Sequence, residues 1–221
     1  MNELVILDLD GVIIKGQSQR IFLNYIFKKK LVGLFFYFKI YLWFVFYKLG
    51  IIKNPKKIMD YAFFSLKDME IDKVEEIAKI FFDDVLCNFI FPEIVDIINE
   101  HKSKSRELLI ISNAADIFVK RVADFLGIKN YISTRLETIN GKFTGKILGN
   151  IVYGKNKADF IKEFIKKNNL DFNNTYAYTD HISDLDLLLF ASDPYTVNPD
   201  RLLKKEAEKR NWPILIFRSN R

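Results

Sequence analysis

Four aspartates give the first sign of chemistry. Asp8 and Asp10 flank Leu9 in Asp8-Leu9-Asp10-Gly11, and Asp180 and Asp184 bracket His181-Ile182-Ser183. Each pair directly follows a short apolar run. Asp8 and Asp10 fall near the same side of a strand end, so one carboxylate can attack or bind a metal while the other handles protons. Taken alone, the motif also reads as an Asp-rich turn closed by Asx hydrogen bonds. Asp184 or Ser183 can cap the helix that follows, but this does not account for Asp180, which sits directly after the strand. Hard oxygen donors of this kind suit Mg²⁺, which takes one or two carboxylates and keeps several waters. Ser112, after Leu108-Leu109-Ile110-Ile111, offers a hydroxyl beside backbone N–H groups that can hold phosphate oxygens, or a cap for the next helix. Lys157, just after Gly154, reads on its own as a solvated lysine.

The elements that must position these side chains follow from the apolar pattern. Leu4–Leu7 is a buried strand, and Arg20–Lys30 has helical spacing. A helix is expected to begin near Pro55, and Asp72–Phe89 is one amphipathic helix carrying Val74, Ile77, Ala78, Phe81, Phe82, Val85 and Leu86 on one face. After Pro92 the rhythm changes. Helices are expected at Glu93–Lys102, Asp116–Leu126 (capped by Gly127), Asn156–Lys167, Asp184–Ala191 and Arg201–Arg210. Strands are expected at Glu107–Ile111, Thr175–Thr179, Tyr195–Val197 and Ile214–Phe217, with Tyr131–Val152 as strands turning at Asn140-Gly141. Strands alternating with helices imply an α/β fold: a Rossmann-like, mostly parallel sheet covered on both faces. The helical stretch 15–91 interrupts that pattern after its first strand. It is read as an inserted cap on a core of 1–14 and 92–221. The four acids and Ser112 all lie at strand ends, which in such a sheet border the ligand crevice.

The chain has 221 residues, enough for one domain carrying a large insertion. Cys87 is the only cysteine, which suits a reducing compartment, and the first residues do not form a secretory signal. Two distant histidines and one cysteine exclude a zinc site. The net charge of +6 is unevenly spread: ten basic residues and no acid lie between Gly11 and Met59, against 24 basic and 28 acidic elsewhere. Such a segment favours anionic partners. No nucleic-acid reading motif is present, and nucleic acid is not expected as a partner.

Apolar-strand-Asp-x-Asp-Gly, apolar-strand-Ser, Gly-x-x-Lys and strand-Asp-x-x-x-Asp, in this order, resemble the haloacid dehalogenase superfamily. Helices inserted directly after the first motif, with Asn140-Gly141-Lys142-Phe143-Thr144-Gly145 and Tyr178-Thr179-Asp180 later, look like its phosphoserine-phosphatase-like branch. The resemblance implies a Mg²⁺-dependent phosphatase acting through an aspartyl-phosphate. It implies Asp8 as nucleophile and Asp10 as acid and base. Asp8, the backbone carbonyl of Asp10, Asp180 and Asp184 would hold the metal, Asp184 through water or by orienting Lys157. Ser112 and Lys157 would bind the phosphoryl group, with Gly11, Asn113 and Gln17 lining the substrate site. Two departures bear on specificity. Val12 stands where many relatives have Thr and some mutases have Val, so a phosphomutase is the alternative; a catalytically silent membrane-associated or regulatory protein is a further one. Gln17 stands where phosphoserine phosphatases have a Glu that pairs with the substrate amine, and an amide cannot neutralise an ammonium.

Leu31–Ile52 is apolar and aromatic, long enough almost to span a bilayer. Lys39 inside it, and its place between a core strand and the rest of the cap, argue against crossing. It is read as a buried cap helix, with an interfacial helix on anionic lipid as the alternative. The substrate is accordingly expected to be a phosphorylated small molecule or a lipid phosphate. The location is expected to be cytoplasmic, with peripheral contact to the inner face of the membrane under the second reading. His101 is read as a solvated helix end; His181, inside the last motif, is read as structural, with contact to the substrate or to the groups around it as the alternative.

Overall fold

A computed structural model describes residues 3–48 and 55–218. Along the chain run β1 (Glu3–Asp8), α1 (Ser18–Lys28), α2 (Leu34–Lys48), α3 (Pro55–Phe63), α4 (Ile71–Asp84), α5 (Pro92–Ser103), β2 (Glu107–Ala115), α6 (Asp116–Leu126) and β3 (Asn130–Thr134). Then follow β4 (Leu136–Ile139), β5 (Lys142–Ile147), α7 (Asn156–Lys167), β6 (Asn174–Thr179), α8 (Leu185–Phe190), β7 (Asp193–Val197), α9 (Arg201–Arg210) and β8 (Ile214–Leu215). The expected end of the apolar segment, 49–52, lies outside the described residues.

Six strands form one parallel sheet in the order β3-β2-β1-β6-β7-β8. The order reverses at β1: β2 and β3 build outward on one side, β6, β7 and β8 on the other. β1 shows why its sequence is an unbroken apolar run. Val5 and Leu7 join the core on one face, while Leu4 and Ile6 join the core on the other. A strand covered on both faces has no polar side to alternate with. The second face is closed by Ile161 of α7, Leu187 and Leu188 of α8 and Leu203 of α9. The first is closed by Ile94 and Ile98 of α5, Phe118 and Val119 of α6, and the helices between β1 and α5.

Those helices are tied to the sheet at several points. Chain entry and exit pair with each other: the Lys15 N–H donates to the Phe89 carbonyl (2.7 Å) and the Phe91 N–H to the Ile13 carbonyl (3.0 Å). Phe81 of α4 is fully buried and packs edge-on against Phe22 of α1 (5.1 Å between centroids) and Phe118 of α6 (5.6 Å), joining all three helices in one apolar cluster. The β4–β5 hairpin reaches back to the chain just before α4, where the Asp68 N–H donates to the Phe143 carbonyl and the Phe143 N–H to the Met69 carbonyl (both 2.9 Å).

Several expectations need correction. The helix expected over Asp72–Phe89 ends at Asp84: Val85 leaves helical geometry and a tight turn over Leu86–Phe89 redirects the chain into its pairing with Lys15. β2 does not stop at Ile111 but continues through an irregularity between Ser112 and Ala115, because β3 keeps pairing with it. Of the strands expected in Tyr131–Val152, β3 belongs to the main sheet, while β4 and β5 form a separate hairpin. His101 is buried, not solvated. Arg106 donates to its Nδ1 (2.9 Å), which leaves Nε2 as the protonated nitrogen facing the Tyr178 hydroxyl (2.9 Å). Burial, reinforced by the Arg106 charge, holds this imidazole down to about 4. Nor is α2 a wholly buried helix: Ile40 is buried, but Leu34, Phe35, Phe38 and Leu42 face solvent.

Phe81→Ala should lower stability by about 3–5 kcal/mol, the usual cost of emptying a buried aromatic site, measured as a shift in the urea midpoint.

Candidate active site

The loop after β1 is held by its own backbone. The Ile13 and Ile14 N–H groups donate to the Leu9 carbonyl (2.9 and 2.8 Å), and the Gly11 N–H donates to the Ile14 carbonyl (2.8 Å). Gly11 has φ +83°, and a Cβ there would lie 1.9 Å from Oδ2 of Asp180. Only glycine allows the first loop to approach the end of β6 this closely.

Asp8, Asp10, Gly11, Gln17, Ser112, Asn113, Lys157, Asp180 and Asp184, every residue singled out from the sequence, line one cavity of about 480 Å³ at the carboxyl ends of β1, β2 and β6. This is the point where the strand order reverses, the usual place for a ligand in an open parallel sheet. Lys157 is buried, not solvated: its side chain is 4 % exposed, and its ammonium lies 2.9 Å from Oδ1 of Asp8 and 2.6 Å from Oδ2 of Asp184. Asp184 also accepts from the Thr179 hydroxyl (3.0 Å), so its carboxylate faces Lys157 and does not cap the helix. The local cap is His181, whose Nδ1 accepts from the Ser183 N–H (3.1 Å). Ser112 is buried and accepts from the Ala114 N–H (3.0 Å); it does not cap α6, whose first residue follows Ala115. Asn113 directs its carbonyl to Gln19 (3.4 Å), and its side-chain oxygen accepts from Thr134 (3.5 Å). Gln17 is an exposed rim residue just before α1.

Charge in the site is unbalanced. Burial pushes the Asp8 carboxyl well above the ordinary carboxylate range; Lys157 opposes this, and Asp184 and Asp180 add to it. Asp180 is raised to about 7, first by burial and then by Asp184. Asp10 is raised to about 6 by burial, which the Ser18 N–H donating to its Oδ1 (2.8 Å) partly offsets. Burial alone would lower Lys157, but the carboxylates of Asp184 and Asp8 more than offset it and hold its pKa raised. Four carboxylates thus meet one buried ammonium among the described residues. That excess, made of hard oxygen donors, fits a divalent cation of the Mg²⁺ type. Among the described residues no three such side chains form a ready-made ligand cluster. Mg²⁺ needs none, since it retains waters.

The sequence reading missed other lining residues: Lys15, Phe91, Tyr153, Asn198 and Phe217. Asn198 has φ +42°, and its side-chain oxygen accepts from the Phe217 N–H (3.0 Å), so the end of β7 holds the C-terminal segment over the cavity. The strand ending at Val197 was visible in the sequence; the arrival of Phe217 was not. His181 lines the cavity as well, 3.3 Å from Asp200, as the alternative reading of it allows.

A profile of haloacid dehalogenase-like hydrolases matches residues 5–189. The chain belongs to this family. This haloacid dehalogenase-like chain is 33 % identical over 148 residues to a Mycobacterium tuberculosis protein named a probable phosphatase, covering 67 % of the chain and 51 % of the relative. It therefore spans about half the length of that relative. A Neisseria meningitidis protein named histidinol-phosphatase is 29 % identical, with 99 % of this chain and 100 % of the relative covered. Among solved structures, a Bordetella pertussis protein of unknown function superimposes with a TM-score of 0.90 at 19 % identity, covering 97 % and 98 % of the two chains. A phosphoserine phosphatase structure gives 0.69 at 19 % identity, covering 98 % and 93 %. The α/β fold of the haloacid dehalogenase-like chain is that of these neighbours.

Lys157→Met leaves Asp8 and Asp184 buried without their cation and should destabilise the protein by about 3–5 kcal/mol at pH 8. The sign follows from the raised Asp8 carboxyl. Its protonated form is the one the fold favours, so stability is present at low pH and lost as pH rises. The deficit of the variant, read from urea denaturation, should therefore shrink from pH 8 to pH 5.

Proposed function

We propose that the chain is a Mg²⁺-dependent phosphatase of phosphomonoesters that works through a phosphorylated Asp8. The observation that carries this reading is the convergence of Asp8, Asp10, Ser112, Lys157, Asp180 and Asp184 on one cavity, with the Lys157 ammonium 2.9 Å from the Asp8 carboxylate. The names of the relatives support it.

In this reading the Asp8 carboxylate attacks phosphorus, the bond to the leaving oxygen breaks, and Asp10 gives that oxygen its proton. A carboxyl raised to about 6 can hold a proton near neutrality and release it readily. Asp10 then takes a proton from the water that attacks the phosphorylated Asp8, freeing inorganic phosphate and restoring both residues. Ser112 and Lys157 bind phosphoryl oxygens, and the Lys157 charge opposes the rise that burial gives the Asp8 carboxyl. Asp184 positions Lys157 and completes the acidic metal site. Asp8, the carbonyl of Asp10 and Asp180 would hold Mg²⁺, which when bound offsets the repulsion between the nucleophile and an anionic phosphate.

We assign residues 1–14 and 92–221 to the core and 15–91 to a cap that sets the leaving group, supported by the pairing of entry with exit. The substrate is then a phosphorylated metabolite or a lipid phosphate, handled in the cytoplasm, where a single Cys87 stays reduced. The cap entry lines the cavity with Lys15 and Gln17 and no carboxylate, which supports poor turnover of L-phosphoserine.

The test is phosphate release from p-nitrophenyl phosphate with Mg²⁺ and with EDTA. Release should need the metal and fall by about a thousandfold or more in Asp8→Asn. Unchanged release in that variant overturns the mechanism. Mg²⁺ should also raise the melting temperature of the wild type but not of Asp180→Asn, a readout independent of turnover. A panel of L-phosphoserine, histidinol phosphate and lipid phosphates then ranks leaving groups, with L-phosphoserine expected low.

A further inference from the structure

The cap carries a surface that the proposed chemistry leaves unused. Apart from Lys39, whose ammonium lies over the Tyr61 ring (4.1 Å), α2 from Leu34 to Phe46 is apolar or aromatic, a pattern helices show when they are enclosed on most sides or meet lipid. Within the chain one side is covered. Ile40 is buried, Phe36 stacks on Tyr61 (5.8 Å between centroids), and Tyr37 stacks on Phe27 (4.2 Å). The other side, Leu34, Phe35, Phe38, Tyr41, Leu42 and Val45 at helical spacing, faces solvent, with Phe35 81 % exposed. A contiguous apolar face of this kind marks an interaction site.

The rim of that face identifies its partner. Lys28 and Lys30 are exposed immediately before the exposed Leu31, and the Arg20 guanidinium sits 5.5 Å over the Tyr41 ring. Between Gly11 and Met59 the chain has ten basic residues and no acid. A second cavity of about 350 Å³, lined by Lys15, Arg20 and Lys28 and by no carboxylate, shares Lys15, Gly16 and Gln17 with the active-site cavity. A second copy of the chain docking by a two-fold contact would set this cationic rim against itself. An anionic bilayer suits both parts: the acyl boundary takes the aromatic and aliphatic side chains, and lipid phosphates meet the lysines and arginine.

We propose that α2 is an interfacial helix that seats the cap on an anionic lipid bilayer, with Arg20, Lys28 and Lys30 at the headgroups. No helix among the described residues is long and apolar enough to cross a membrane, so the contact is made along the surface. The proposal stands apart from the catalytic one, because binding needs no turnover.

The experiment is co-sedimentation of the full chain with vesicles of phosphatidylglycerol in phosphatidylcholine, and of phosphatidylcholine alone, at low and high salt. The chain should bind the anionic vesicles at low salt and not the neutral ones. The double variant Phe35→Glu with Phe38→Glu should bind on the order of tenfold more weakly or less still, and Lys28→Glu with Lys30→Glu should lose most of the salt-sensitive binding. All four positions are on the surface, and unchanged circular dichroism melts verify the fold. The proposal fails if the wild type stays in the supernatant with anionic vesicles, or if the Phe35/Phe38 variant binds as wild type does. It also fails if light scattering shows a dimer without lipid that this variant dissolves while vesicle binding is absent. An active phosphatase that ignores vesicles would overturn this inference alone; a vesicle binder without phosphate release would overturn only the catalytic reading.

Discussion

The Lys157 ammonium, held between Asp8 and Asp184, is the interaction on which the arrangement of the site depends. It joins three separate pieces of chain: the end of β1, the start of α7 and the turn after β6. A lone buried carboxylate would take up a proton, and a lone buried ammonium would lose one. Lys157 opposes the protonation of Asp8, but one cation is insufficient for the carboxylates gathered there. The sheet is what forces this crowding. β1 lies between β2 and β6, so the loops that leave all three strands meet over one spot, and Gly11 removes the side chain that would have kept Asp180 away. The acid-rich pocket therefore follows from strand order and one missing Cβ, and its charge imbalance is what makes a divalent cation a natural complement.

Much of the core was legible because its signals are local. The bounds of α6, α7 and α9 coincide with those expected, each resting on periodicity together with start or stop residues in the chain. The candidate site was legible as a set of residue types at strand ends, and the structure brings all of them to one cavity. What escaped was set by contacts distant in sequence. His101 looked like a helix end facing water, since nothing nearby announces the Tyr178 hydroxyl arriving from β6 to bury it. Lys157 read alone as a surface lysine for the same reason. Phe217 reaches the cavity through β8 pairing with β7 and the Asn198 side chain binding its backbone, contacts without a periodic trace. α2 resisted reading for the opposite reason: apolar on nearly every side, it gives little indication of which side the rest of the chain will cover.

The cap and the core are not independent bodies. Phe22 and Phe81 from the cap interleave with Phe118 from α6, and the β4–β5 hairpin bonds to the backbone at Asp68 and Met69. The apolar cluster beneath one face of the sheet is continuous with that of the cap. The reach of the hairpin explains why a segment so far along the chain carries pattern shared with a family: its turn braces an insertion made more than seventy residues earlier, at Glu70 against Lys142.

The paired entry and exit of the cap have an evolutionary consequence. Because Ile13 and Lys15 bond to Phe91 and Phe89, the two ends of the insertion meet as neighbours on a short ladder, and the sheet sees only that ladder. Chain added or removed beyond it changes little in the closure entropy already spent in bringing those ends together. Helices can be exchanged there while the strands keep their wiring, provided an aromatic still reaches Phe118 and a backbone edge still meets the hairpin. The fold is in this sense a socket, and what is plugged into it can be refitted while the acids beneath stay where they are.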